Sequence, residues 1–428
     1  MIEIGKIAVV NHEGRSRLTA AVRVPPAAID AWLRRTARNG VPIENWYRRE
    51  YLDENSCFRL WFEVDEDCAD ALCAERSDAF LSAILPFAMI SGEDIRCDAP
   101  VTDQLLYQVR EYLLPSLCRE AEGYRRISVE AEPAPEAKKS AAFVGTGISC
   151  GVDSFAAVLL HTKKRVPEAF RLTHLTLFNT GALHFSGYAG DKPLSQWRAE
   201  TEKEFEERIA TGKKVAQELK LRFLAVDTNI PDLYQGWFLY SHTLRNLSAV
   251  LATQKMWANY YYASAGKGYI NHADLTAPSG SYDALSLTAL SLPSLRFYSG
   301  GAAYTRLQKT ELIADDPIVQ KYLNVCSFHT ANCGRCEKCT RTLAALDLLG
   351  KREAFKESFP DMSYYESYRW RIMANIAEAR EEDVFLYEMK QYMERHGVRL
   401  SAKSKRYRLL LPLRKLRRLF RKARKENG

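Results

Sequence analysis

Two short apolar runs flank Asn11-His12-Glu13-Gly14 in "KIAVVNHEGRSRLTAAVRV", a pattern that predicts a β-hairpin. "FRLWFEVDED" predicts a third strand. In "DAFLSAILPFAMIS" and "DQLLYQVREYLLPSLCREA" apolar residues fall three and four apart, so both predict helices, with Pro86 and Pro115 expected to interrupt or kink them. Residues 1–129 therefore predict a small α+β domain. The next segment, 130–142, is polar, proline-rich and aperiodic, and predicts a linker.

From residue 143 the pattern becomes a regular strand-then-helix alternation. "AAFVGTG", "LTHLTLFNT", "RFLAVDTN" and "NYYYASAG" predict strands. "FAAVLLHT", "AETEKEFEERIATGKKVAQELK" and "TLRNLSAVLATQKMWA" predict the helices between them. Strands separated by helices of this length imply a mostly parallel, doubly wound α/β sheet over 143–350. Ligands of such sheets bind beyond the carboxyl ends of the strands. Residues 351–402 predict a helical segment, and 403–428 a basic tail.

The first strand of this alternation runs into "GISCGVDSFAAVLLH", residues 147–161. A Walker loop fails here, because its lysine would fall on Gly151 or Asp153. A dinucleotide fingerprint fails because its last glycine would fall on Cys150. What remains is Ser149, Cys150, Gly151, Val152, Asp153 and Ser154 at a strand-to-helix turn. Amides of a small-residue turn at a helix N-terminus attract anions, and the two serine hydroxyls add donors. An aspartate in that turn would repel bare phosphate, but it can hold Mg²⁺ that bridges phosphate oxygens. The combination suits a triphosphate; the simpler alternative is an ordinary helix start in which Asp153 or Ser154 caps free amides.

The loop resembles the Ser-Gly-Gly-x-Asp-Ser signature of the PP-loop ATP pyrophosphatases, the adenine nucleotide alpha-hydrolase-like superfamily. Ser149, Gly151, Asp153 and Ser154 fall on its positions, and Cys150 replaces its first glycine. The resemblance implies a grip on the β and γ phosphates of ATP, attack by a substrate oxygen on the α phosphorus, and release of pyrophosphate.

"VCSFHTANCGRCEKCTRT" places Cys326, Cys333, Cys336 and Cys339 at separations of six, two and two residues. Two overlapping Cys-x-x-Cys elements and one upstream sulfur can close a tetrahedron around a structural zinc ion. An iron–sulfur cluster and a redox dithiol are the alternatives, and His329 could replace one thiolate. With "RLQKTELI" just before it, this run resembles the closing segment of the 7-cyano-7-deazaguanine synthases, and the likeness spans about residues 140–350. It implies that Lys309 lies near the phosphates, where a cation offsets charge on the leaving pyrophosphate; an exposed helix charge is the alternative. Gly266-Lys267-Gly268, His242 and Arg245 are further candidates near the ligand edge, with a turn or a solvated surface as their simpler roles.

Composition changes this picture at two points. No stretch reaches the roughly 18 apolar residues of a membrane span, and Met1–Val10 lacks a secretory start, so a cytoplasmic address is expected. The net charge of +8 is also uneven: residues 403–428 carry twelve Lys or Arg against Glu426, which leaves the rest at −3. Leu413, Leu416, Leu419 and Phe420 follow helical spacing among those cations, a pattern suited to an anionic membrane surface. Nucleic acid would want fewer leucines, and an intramolecular docking helix is the other alternative.

The chain is thus expected to be an ATP-dependent, Mg²⁺- and Zn²⁺-containing ligase. It would adenylate a carboxylate or amide-type oxygen on a small molecule and pass it to an amine or ammonia. Asp153 and Lys309 would act at the phosphates. RNA thiolation and a catalytically silent nucleotide-binding module are the other readings.

Overall fold

A computed structural model describes residues 1–37, 56–120, 123–163, 165–183, 194–234, 238–263 and 283–410. The chain forms two compact units: Met1–Ser149 with Asp153–Ala303, and Cys150–Val152 with Tyr304–Gly428.

The first unit is α/β. Its described strands are β1 (Ile2–His12), β2 (Arg15–Arg23), β3 (Cys57–Asp65), β4 (Ile95–Cys97), β5 (Val101–Thr102) and β6 (Val129–Glu130). They continue with β7 (Pro133–Ala134), β8 (Phe143–Gly147), β9 (His174–Phe178), β10 (Arg222–Thr228), β11 (Trp257–Ala263) and β12 (Arg296–Gly300). Ten of them form one mixed sheet in the order β12-β11-β8-β9-β10-β3-β2-β1-β4-β6, and β5 pairs with β7. From β12 to β10 every pairing is parallel. From β8 the chain moves to β9 and β10 on one side, then returns to β11 and β12 on the other. The strand order therefore reverses between β8 and β11, where open α/β sheets take their ligands.

The separate α+β domain and the 130–142 linker expected from sequence are not what the structure shows. β3 pairs antiparallel with β10 through Phe62–Thr228 and Glu63–Asp227, so the early strands extend the parallel sheet. An exposed edge on either piece would be a template for unwanted pairing, and joining them removes both edges. One core spans the join: helix Asp78–Ser91, buried along its length, packs against helix Phe238–Ala252, and Ser82 Oγ donates to the Leu244 carbonyl at 3.0 Å. The expected linker contains β7 and begins with the last residue of β6. Its Lys139 Nζ donates to the carbonyls of Gln254 and Trp257 at 2.8 and 2.7 Å, and burial lowers that amine to about 8.

Both predicted proline defects are accommodated. Pro86 stays inside helix Asp78–Ser91 because the buried Tyr234 hydroxyl enters the gap, accepting from the Phe87 amide at 3.2 Å and donating to the Ala83 carbonyl at 2.7 Å. Ahead of Pro115, the helix begun at Asp103–Gln108 widens into a π turn over Val109–Leu113.

The second unit is helical, with helices Arg306–Ile313, Pro317–Tyr322, Glu337–Leu348, Ser363–Ala377 and Val384–Arg395 and a helical stretch at 402–410. No helix among the described residues is long and apolar enough to cross a membrane. Residues 411–428, with Leu413, Leu416, Leu419 and Phe420, lie outside the described part, as do Gly266, Lys267 and Gly268.

The joined core can be tested at Asp78. Its fully buried carboxyl accepts from the Thr102 amide at 2.8 Å, the Thr102 hydroxyl at 2.6 Å and Gln254 Nε2 at 3.1 Å, and burial raises its pKa. Asp78→Ala strands three buried donors, so urea unfolding should show a loss of about 3 kcal/mol or more. A loss under about 1 kcal/mol would mean that the early residues and Gln254 do not share a core.

Candidate functional site

β8 owes its entry geometry to packing. A Cβ on Gly145 would come within 2.9 Å of both the Trp257 and Tyr260 rings, so this glycine serves close strand packing rather than a ligand. Thr146 Oγ1 donates to the Tyr261 carbonyl at 2.7 Å, and the Ile148 amide donates to Thr176 O at 2.8 Å, which holds the strand between β9 and β11 up to the turn.

After Gly147 the chain turns through Ser149–Gly151 and enters helix Val152–Thr162. Ser149 Oγ donates to Ser154 Oγ at 3.3 Å, so the two hydroxyls meet across the turn. Asp153 sits in the helix's first turn, where a carboxylate is favoured by the macrodipole. Cys150 has φ +58°, the left-handed region, and is 6% exposed. Its place is thus one that favours glycine, the residue of the resembled signature. Within the second unit the Cys150 carbonyl accepts from the Asn324 amide at 2.8 Å, and Asn324 Oδ1 in turn accepts from the Cys326 amide at 3.2 Å.

At the ends of β9 and β11 lies a half-buried polar network around His242, a residue that sequence left between the ligand edge and a solvated surface. His242 Nδ1 and the Tyr262 hydroxyl lie 2.6 Å apart, Asn246 Nδ2 donates to the same hydroxyl at 3.5 Å, and Thr180 Oγ1 donates to Asn246 Oδ1 at 2.6 Å. Burial, with Arg245 close by, lowers His242 to about 4, so its imidazole is neutral at neutral pH. Arg245 is itself buried, its guanidinium 4.7 Å over the Tyr234 ring and 5.4 Å from that of Phe238. A Cβ on Gly181 would lie 2.2 Å from Arg245 Nη2, so the arginine occupies space that only glycine leaves open. A signal for this was available: helix 238–252 is apolar on most faces, which leaves its polar residues little solvent to face.

Lys309 is fully buried, on a helix started by a Thr305/Gln308 capping box, and is not the exposed charge that sequence left open. The Glu388 carboxylate comes from helix Val384–Arg395 and accepts from the Leu307 amide at 3.0 Å. Burial raises its pKa, against the opposing pull of Thr305, the Leu307 amide, Arg306 and Lys309. Sequence reasoning missed Glu388, whose carboxylate meets the helix only through tertiary packing. Lys309 belongs to the second unit, and Ser149, Asp153 and Ser154 to the first.

The four sulfurs of Cys326, Cys333, Cys336 and Cys339 do come together, all within 4.8 Å of one another. Cys333 Sγ and Cys339 Sγ are 4.0 Å apart, close to the ~3.8 Å edge of a tetrahedron with Zn–S bonds of about 2.3 Å. The donors therefore fit a metal such as zinc. Amides turn inward on them: Cys336 N donates to Cys333 Sγ at 3.4 Å and Cys339 N to Cys336 Sγ at 3.5 Å. Burial alone would raise the Cys333 thiol, but the amides of Arg335 and Cys336 bring it to about 7. Gly334 has φ +64°, and a Cβ there would lie 2.1 Å from the Asp361 carbonyl. Asn332, which sequence reasoning passed over, braces the centre from behind, donating to the Leu323 and Ser358 carbonyls at 2.7 and 2.8 Å and accepting from the Val325 amide at 2.8 Å. His329 is exposed, and the sulfur set closes without it. No protein-family model, curated protein or solved structure matches the chain.

Protein purified without added metal should contain about one zinc per chain by elemental analysis, and Cys339→Ser should lower the melting temperature more than Cys57→Ser. A visible iron–sulfur absorption band would refute this. At Cys150, replacement by Gly removes left-handed strain of about 1–2 kcal/mol and loses a small packed group worth about as much, so stability should stay within about 1 kcal/mol. Cys150→Val adds a β-branched side chain at the same φ and should cost about 2 kcal/mol or more by thermal unfolding.

Proposed function

We propose that the chain is an ATP-dependent, PP-loop-type ligase that adenylates a small-molecule acceptor, releases pyrophosphate and passes the activated acceptor to an amine or ammonia. The observation that supports this best is the position of Ser149–Ser154. The segment leaves β8 at the strand-order reversal and leads directly into an 11-residue helix. That junction brings amide donors together where doubly wound sheets bind anions.

In this proposal the amides from Cys150 to Ser154 and the hydroxyls of Ser149 and Ser154 hold the β and γ phosphates. An acceptor carboxylate or amide oxygen attacks the α phosphorus as the bond from that phosphorus to the bridging oxygen breaks. Asp153 would hold Mg²⁺, which supplies charge neutralisation on the phosphate oxygens. The resemblance would give Lys309 the task of offsetting the charge that grows on the leaving pyrophosphate. The four-cysteine centre offers no open position and is structural. RNA thiolation is not favoured, because Cys150, the thiol of the loop, is buried.

Asp153→Asn keeps the side-chain volume and removes the metal-binding charge, so pyrophosphate release from ATP should fall by about a hundredfold or more, while stability falls by no more than the roughly 1 kcal/mol of the lost helix-dipole interaction. Turnover within a few-fold of the parent would end this assignment. A parent protein that binds ATP but releases no pyrophosphate with any acceptor would instead be a silent nucleotide-binding module.

A further inference from the structure

The helical stretch at 402–410 is fastened to the second unit along one side. Ser404 is buried, with its amide and hydroxyl 3.1 and 2.8 Å from Ser401 Oγ. Tyr407 meets the Trp370 ring edge-on, with centroids 5.1 Å apart, and Lys403 Nζ lies 4.6 Å from the same ring's centroid. Arg408 pairs with Glu378. With that face committed, Lys405, Arg406, Leu409 and Leu410 are left exposed. Leu409 is 79% exposed, more than any other large hydrophobic side chain among the described residues, and Leu410 is 40% exposed.

A lone exposed leucine means little. Here two neighbouring leucines stand in a run, 403–425, that holds twelve Lys or Arg and no acid. We propose that this end of the second unit is a docking surface for an anionic lipid bilayer. Lys405 and Arg406 would lie among the headgroups while Leu409 and Leu410 enter the acyl boundary. Each cation near an anionic surface strengthens partition by roughly fivefold, and each leucine adds apolar burial. A nucleic acid would satisfy the same cations but give Leu409 and Leu410 nothing to enter. The half-buried Trp370 and Tyr407 rings that anchor the helix are the amphipathic residues favoured at a membrane interface.

The test is co-sedimentation of the full chain with vesicles of phosphatidylcholine alone and with about 30 mol% phosphatidylserine, over roughly 0.05–0.5 M salt. Binding should require the anionic lipid and weaken with salt. Leu409→Ser with Leu410→Ser should lower partition roughly tenfold at unchanged charge. Lys405→Gln with Arg406→Gln should lower it by at least fivefold. Neither pair touches the Trp370 anchor, so melting temperatures should match the parent; deletion from 403 would instead strip Lys403 and Tyr407 from that ring. Absence of sedimentation overturns the proposal, as does sedimentation that ignores the serine pair. Binding of a single-stranded RNA oligonucleotide by parent and serine variant alike, without vesicle binding, would overturn it in favour of a nucleic-acid surface.

Discussion

The antiparallel pairing of β3 with β10 is the constraint on which the first unit depends. It turns a parallel array and an antiparallel hairpin sheet, each with an open edge, into one sheet with a shared core. Tyr234 shows how far the sharing goes. Its ring contacts Phe87 and Trp32, its hydroxyl repairs the helix opened by Pro86, and the Arg245 guanidinium lies over its ring. The side chain that makes a buried proline tolerable therefore also packs against a buried cation.

The join also shifts the ionisation of a carboxyl. Asp227 faces Glu63 across the β10–β3 pair, and burial lifts it to about 6, opposed by Asn179 Nδ2 and the Thr228 amide, each donating at 2.8 Å. A carboxyl raised from its unfolded value binds more protons when folded, so its contribution favours the fold as pH falls from about 6 toward 4. His242 and His174, both lowered to about 4, act in the opposite sense, because the unfolded chain takes up their protons below about 6.5. Two lowered histidines against one raised carboxyl leave these three groups with a net loss of stability on acidification.

The four strands and three longer helices from 143 to 263 were legible because each carries its own period, although the third helix was expected to run to Ala258 and ends at Ala252, with β11 beginning at Trp257; the cysteine centre was legible because its ligands lie within fourteen residues. The false boundary at 130–142 came from composition, which says nothing about which edge a distant strand will join. β4 to β7, at two or three residues each, are too short to show a period. β12 does alternate, yet Arg296 and Tyr298 on its open face make five residues look like a loop. His242, Arg245 and Lys309 were left open between a site and a solvated surface, since a charge in a helix reads as solvent exposure unless the packing partner, here Tyr262, Gly181 or Glu388, is known.

The cysteine centre and the candidate loop meet through Asn324. Its amide holds the Cys150 carbonyl, and its side-chain oxygen receives the amide of Cys326, the first of the four thiolate donors. Cys150 occupies a left-handed conformation that costs a residue with a Cβ about 1–2 kcal/mol. Zinc binding at closed thiolate sites is coupled to folding, so a bound ion would order Cys326 and with it the residue that receives its amide, Asn324. A chain that has cysteine at this position therefore needs the bracing more than one with glycine, and the bracing comes from the segment 174 residues downstream rather than from the turn itself.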